Sequence, residues 1–462
     1  MTAKGIFSIL NNQQGISAVL IAVCLVMLIG MLALSIDLSH LVVARNELQN
    51  AADAGALAGA AELYTDTGQS VNTNSNQIGF DAAVANFSEQ SPVEVNWTGG
   101  NAGDVQRGHW SFGLGSLPRG FTPNDSTAPV ALWGVTTVEL DENPNFINAV
   151  RVRSRRQNTP IASWFARIFG HESFEGFAEA VAYIGFAGNL KEATANAPIA
   201  ICQQAILKCG EKPDPDNPEG PPIADCWYEC NEGRFINDAA GKTDEETGMW
   251  TNLEQNVVDG VDTCSSGTNA SEVKPLVECD AIRFGNGVDH QSLQLGKNMI
   301  VNNGEIQSAF NAFYKCWQDH FEGGYMHMTL PVVDCKDDPT TCAKLVGAVK
   351  VTVVHMTQDP NYKDLPGTIE PKVDGDPNMT WNRTAADETC ADKENPDKCV
   401  WEEFVKYYGL VQAKLNPETD NYSAEYHAKS IYFLPHCEPH VPIGVTGGQN
   451  FGILAEIPVL VR

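Results

Sequence analysis

The run ISAVLIAVCLVMLIGMLALSI, Ile16–Ile36, continues without a break into DLSHLVVARNELQNAADAGALAGAAEL, Asp37–Leu63. The first part holds no charge over 21 residues. At the α-helical rise it spans about 30 Å, the thickness of a bilayer's hydrocarbon core. It is long for the apolar stretch of a cleaved signal peptide, and Ala33-Leu34-Ser35 offers only a passable small-residue site. It therefore reads as a single transmembrane helix, 16–36, behind a cytoplasmic leader, 1–15. No proline interrupts residues 16–64, so the helix is expected to continue outside the membrane to about residue 64. Leu34, Leu38, Leu41, Arg45, Leu48, Ala52, Gly55 and Gly59 recur at heptad-like spacing, and the side chains shrink from Leu to Gly along the way. Gly within a helix costs about 1 kcal/mol relative to Ala, so close backbone approach by another element is the expected compensation. Leu38, Leu41, Leu48, Ala52, Gly55 and Gly59 form the candidate helix-packing interface. Two occupants stay open: a helix of another subunit, or the chain's own following domain.

Composition bounds the rest. The chain has 462 residues and an ordinary apolar share for a folded protein, enough for two or three domains. A net charge of −28 argues against nucleic acid or anionic lipid headgroups as main partners. Residues 210–280 carry seventeen Asp/Glu against four Lys/Arg, which reads as a solvated acidic surface. Cys24 sits inside the apolar run. The other twelve cysteines, Cys202, Cys209, Cys226, Cys230, Cys264, Cys279, Cys316, Cys335, Cys342, Cys390, Cys399 and Cys437, fall in the second half. An even dozen predicts up to six disulfides and an oxidising compartment, which places the C-terminal half outside the cytosol. The short loops Cys202–Cys209, Cys335–Cys342 and Cys390–Cys399 suggest local pairs.

Between these regions the pattern predicts a hinge at 64–77, a short helix at 78–88, strands at 93–97, 131–140, 148–156 and 173–188, and a helix at 160–170 that opens on Pro160 and closes on Gly170. Strands are also expected at 326–335, 345–357, 429–437 and 451–462. The expected fold is α+β: a long membrane helix, an α+β module at 78–188, and a disulfide-rich, mostly β ectodomain at 189–462. Arg151, Arg153, Arg155 and Arg156 form one basic spot, facing solvent, acidic partners or the acidic block.

Candidates for chemistry are thin. His171-Glu172 lacks the second His of a zinc-protease helix, Glu175 standing in its place. Gly241-Lys242-Thr243 imitates the end of a phosphate loop, but Ile236 replaces the required glycine. Asp214, Asp216 and Glu219 lack EF-loop spacing. His436, Cys437 and His440, with His427, are the best metal candidates, but Cys437 belongs to the even disulfide set. The residues assign no catalytic, metal or cofactor site, so the chain reads as no enzyme.

The N-terminal segment resembles TadG-like proteins of the TadE/TadG Flp pilus-assembly group. The likeness rests on Gly15 before the apolar run, Asp37 at its exit, Arg45 followed by Leu48-Gln49, and the tract Ala51-Ala52-Asp53-Ala54 with Ala56-Leu57-Ala58-Gly59-Ala60. Residues 148–185 and 282–354 are similar to later segments of the same group, more loosely. Leu20 stands where prepilins cut by the dedicated peptidase usually carry Glu, and no Asp-x-Ser-x-Ser run marks a von Willebrand A metal site. The resemblance implies a membrane-anchored structural component of a tight-adherence pilus, an assembly or minor pilin-like subunit in the bacterial inner membrane with a periplasmic or cell-surface ectodomain. It would meet other pilus subunits through its N-terminal helix and take neither cofactor nor nucleic acid. The rival reading is a membrane-tethered adhesive or ligand-binding ectodomain outside any pilus.

Overall fold

The structure is a computed structural model. It describes residues 13–64, 71–128, 130–191, 194–212, 223–228, 230, 234–236, 248–255, 257–258, 261–262, 266–277, 279, 291–321, 325–336, 339–369, 380–410, 426–435, 437–439, 446–452, 454–455 and 457–462. The apolar run and the small-residue tract form one helix, α1, Gln13–Ala61. Among the described residues it is the one helix long and apolar enough to cross a membrane, and none of its most apolar stretch is buried. Leu63 is buried just past its end, the Tyr64 hydroxyl donates to the Ile147 carbonyl oxygen at 2.7 Å, and Tyr64 forms an antiparallel bridge with Val71.

An N-terminal module wraps the upper half of α1. Helix α2, Ser75–Val84, lies along it. The strands are β1, Val105–Ser111; β2, Gly120–Pro123; β3, Ala149–Ala162; and β4, Ser173–Tyr183. With the chain's last strand, β11, Val459–Leu460, they make a five-stranded antiparallel sheet in the order β11–β4–β3–β1–β2. Ala52, Ala56 and Ala60 of α1 share a core with Val105, Val150, Val152, Ala180 and Ala182 of this sheet.

Several local expectations change. Residues 131–140 form no strand. Thr136 instead caps a short helix, α3, Thr137–Asp141, in a capping box with Glu139, because hydroxyl and carboxylate together satisfy two of the orphan donors at a helix start. At 93–97 the structure has only an isolated bridge, Glu94 to Arg155. The expected helix at 160–170 is a hairpin tip: β3 runs through Pro160 to Ala162, past a register shift between Arg156 and Ile161, and a 3-10 turn at Ala166–Phe169 ends on left-handed Gly170. Proline fits there because ladder pairing is interrupted.

The C-terminal part is disulfide-rich with much β structure, as expected, and also holds helices that the sequence pattern does not predict. Strands β5, Ile199–Cys202; β6, Gly248–Thr251; β7, Asn298–Asn302; β8, Met326–Asp334; and β9, Cys342–Thr357 pair in a closed ring, β9–β7–β6–β5–β8–β9, in which β5 and β8 are parallel. Strand β10, Ser430–Phe433, pairs β9 beyond the ring. Helix α4, Gln307–Phe321, contributes Phe310 and Phe313 to the main core, and α5, Pro396–Tyr408, contributes Trp401 and Phe404 to a second one.

Five disulfides join described cysteines: Cys202–Cys335, Cys209–Cys226, Cys230–Cys437, Cys279–Cys316 and Cys390–Cys399. Cys342 is also disulfide-bonded, and Cys264 lies outside the described residues. Of the short-loop pairs only Cys390–Cys399 forms. Cys202 takes Cys335 instead of Cys209, since β5 and β8 are neighbours in register next to both sulfurs. Cys209 faces Cys226 across an antiparallel pair. Cys24 is free and exposed.

Candidate functional site

The small-residue face of α1 is occupied by the chain's own module. A Cβ at Gly55 would stand 2.7 Å from the Gly79 carbonyl oxygen and 2.9 Å from Ala83 Cβ; one at Gly59 would stand 2.9 Å from Val150 Cγ1. Gly79 of α2 is equally tight, with Gly55 O at 3.0 Å from its would-be Cβ. Three glycines thus let two helix backbones and a strand meet. Leu48 and Ala52 are fully buried, Leu41 is half-buried and Leu38 is exposed. The buried seam is Asp37, Ala44, Leu48, Ala51, Ala52, Gly55, Ala56, Gly59, Ala60 and Leu63. Arg45, placed in the seam by the heptad count, points outward because the packed face drifts around a 3.6-residue helix, and Leu34 lies below the module, where the helix is uncovered.

Strand β3 follows α1 downward in a ladder. Val150 meets Gly59 and Val152 meets Gly55, and the Ser154 hydroxyl donates to the Leu48 carbonyl oxygen at 2.7 Å. The Arg156 guanidinium donates to the Ser88 carbonyl oxygen, and the Ser88 hydroxyl to that of Ala44 at 3.4 Å. At the bottom, Asp37 accepts the backbone N–H groups of Trp164 at 2.8 Å, Phe165 at 3.1 Å and Ala166 at 2.6 Å. Burial pushes the Asp37 carboxyl up, but those three donors and nearby His40 outweigh it and hold it below the usual carboxylate value.

The arginines are engaged inside the module; of the seventeen Asp/Glu in the 210–280 block, twelve lie outside the described residues. Arg155 forms a bidentate pair with Asp104 at 2.7 and 2.8 Å, and Arg153 reaches Glu179 at 2.5 Å. Arg151 bonds Gln106 and lies 5.1 Å from the Phe121 ring centre. Glu94, absent from the sequence reading, accepts the backbone N–H groups of Gln157, Asn158 and Thr159 where the β3 register shifts. Burial opposes its charge, yet these donors hold its carboxyl down at about 2.

Cys437 is spent in its disulfide with Cys230, while His436 and His440 lie outside the described residues, as do Asp214, Asp216, Glu219 and Gly241-Lys242-Thr243. The His171 ring stacks on Phe174. Among the described residues no group of three or more His, Cys, Asp or Glu could hold a metal ion. A cleft of about 330 Å³ opens between Phe112, Leu140, Tyr183, Phe186, Val459 and Val461. Its one carboxylate, Asp141, already accepts from the Ser111 hydroxyl and the N–H groups of Phe112 and Leu114. Burial and the Asp141 charge push the Tyr183 phenol up to about 12, far from a general acid or base poised near neutral pH.

Two family matches cover the helix and its module. Residues 15–62 match the TadE/G-like Flp pilus-assembly family, and residues 58–182 match the Tad-like Flp pilus-assembly family. No curated protein and no solved structure matches the chain. The first match ends with α1 and the second one residue short of the end of β4, so together they trace one packed unit. Residues 15–182, a long bare-faced helix clasped by its own α+β module, are thus similar to the Flp pilus-assembly families of the Tad group.

Proposed function

We propose that the chain is a non-enzymatic structural component of a tight-adherence pilus, an assembly factor or minor pilin-like subunit. Helix α1 would hold it in the bacterial inner membrane, with the ectodomain on the periplasmic or cell-surface side. The observation that carries this reading is the division of labour along α1. Residues Ser17–Ile36 are apolar and almost wholly uncovered, while Ala44–Leu63 are fused to a rigid module. That geometry suits a protein whose membrane segment meets other membrane helices and whose body is presented in a fixed pose. The disulfides suit an oxidising compartment.

Leu48, Ala52, Gly55 and Gly59 face the chain's own module, so contact with other subunits would run through the uncovered face of the span, from Val19 to Ile36, with Leu38 above it. Cys24, free and exposed on that face, is a native crosslinking handle. The test is gene deletion with pili counted by electron microscopy, and location of tagged protein in membrane and sheared-filament fractions. Fewer or absent pili, with Cys24-dependent crosslinks to another pilus protein, are expected. Unchanged pili and no such crosslinks would overturn the reading.

A further inference from the structure

The tip of the β3–β4 hairpin leaves three large apolar side chains uncovered: Trp164 is 62% exposed, Ile168 74% and Phe169 80%, with exposed Arg167 between them. A cluster of that kind on a folded surface marks a contact. Its position says with what. The ladder of contacts carries β3 from Gly59 down to Asp37, so the hairpin points toward the apolar end of α1, and the Asp37 carboxylate fastens the tip one residue beyond Ile36.

The outer face of α1 gives an independent reading of the same level. Past Ile36 its outward side chains are still apolar: Leu38 is 59% exposed, Val42 50% and Val43 53%. The first outward charge is Arg45, about 12 Å farther along the helix axis than Asp37. Asp37 itself is 4% exposed, its oxygens turned to backbone donors, and His40 is paired with Glu89. No bare charge on the outer face of α1 therefore interrupts its apolar band between Ile36 and Arg45; at the hairpin itself Arg167 and Glu172 are exposed.

We infer that the hairpin tip, Trp164–Phe169, rests in the headgroup–acyl boundary of the bilayer that α1 crosses, a second membrane contact beside the span. Trp164, Ile168 and Phe169 enter the lipid, Trp164 as an amphipathic ring suited to that depth and the other two as apolar anchors. Arg167 reaches the phosphates on its long stem. Asp37 is the positioning residue that fixes the tip's height. Two attachment points stop the ectodomain from swivelling about α1. This depends on α1 spanning the membrane and on nothing about pili.

The test uses the full chain with Cys24→Ser, a nitroxide on Ile168→Cys, and vesicles of phosphatidylethanolamine and phosphatidylglycerol. Collision with a water-soluble nickel chelate should be largely lost, and collision with lipid-dissolved oxygen gained, relative to a nitroxide on Gln157→Cys, an exposed position farther up β3. Adding Trp164→Ser and Phe169→Ser, both at exposed sites, should restore contact with the chelate. A label at 168 as water-accessible as that at 157 would overturn the inference. So would shielding that appears only when a second protein is added, and so would failure of the chain to float with the vesicles, which would remove the span itself.

Discussion

At residue scale, Gly55 shows how a side chain's absence can hold a structure together. Gly→Ala at an open helix position gains about 1 kcal/mol of propensity. Here the new methyl would meet the Gly79 carbonyl oxygen at 2.7 Å, and overpacking of that kind costs about 1–3 kcal/mol. Gly55→Ala should therefore lower the urea midpoint of the detergent-solubilised chain. Gly30→Ala, with nothing within 4 Å of its would-be Cβ, should leave it unchanged or higher. Asp37 works by the opposite means, supplying acceptors that three orphan N–H groups require. Asp37→Ala should speed amide exchange at Trp164, Phe165 and Ala166 while amides in the middle of β3 keep their protection. Unchanged exchange at the tip would show that the clamp does not order it.

At the scale of elements, two charged or titratable groups hold segments in pH windows of opposite origin. Glu94 fastens the irregular stretch of β3, and its folded-state carboxyl sits at about 2, below its unfolded value. Its stabilisation is complete above the unfolded carboxylate range and is lost as pH falls through about 2. Glu94→Gln should flatten that acid limb, measured as the thermal midpoint against pH. His355 of β9 lies among Trp317, Trp401 and Phe404. Its Nε2–H donates to the Asp364 carbonyl oxygen at 2.7 Å, and burial pushes the imidazole down to about 4. For this base the unfolded chain takes the proton first. Stability should fall as pH drops from about 6.5 to about 4, by roughly 3 kcal/mol in all, and level off below. His355→Phe should abolish that slope. The same scale shows which signals were readable. Asn395-Pro396 and Gly409 bracket α5 with an N-cap, an early proline and a left-handed glycine, and Thr136 with Glu139 announces α3. Both are capping signals present in the sequence, yet neither helix is expected from it: the apolar alternation of 131–140 reads as a strand, and the pattern predicts nothing at 396–408. The β3–β4 tip was not legible, because its turn is held by a carboxylate 127 positions away.

At the scale of the molecule, the two halves are stabilised differently. The N-terminal module holds no cysteine beyond Cys24 in α1, and its sheet closes with β11 from the end of the chain: the Val181 N–H donates to the Arg462 carbonyl oxygen at 2.8 Å. The C-terminal part is cross-linked over separations as long as 207 residues. Without reductant, alkylation should label one thiol, Cys24. With reductant, the C-terminal unfolding transition should move down sharply, since losing a native disulfide costs about 2–5 kcal/mol. The N-terminal transition should move far less. A single transition that collapses on reduction would show that the halves fold as one unit.

The amino-acid sequence by itself determined the long helix, its apolar reach and its bare upper face, because helix periodicity, the lack of proline and side-chain size are local properties. It also placed twelve cysteines in one half, which sets the number of bridges available. Tertiary structure alone decided what meets Gly55 and Gly59, which cysteines pair, and where the hairpin tip comes to rest. Each of these depends on chain segments far apart in sequence being brought together by the fold. A bare helix face admits any backbone that can come close; here the partners are Gly79, Val150 and Val152, supplied by the module that follows.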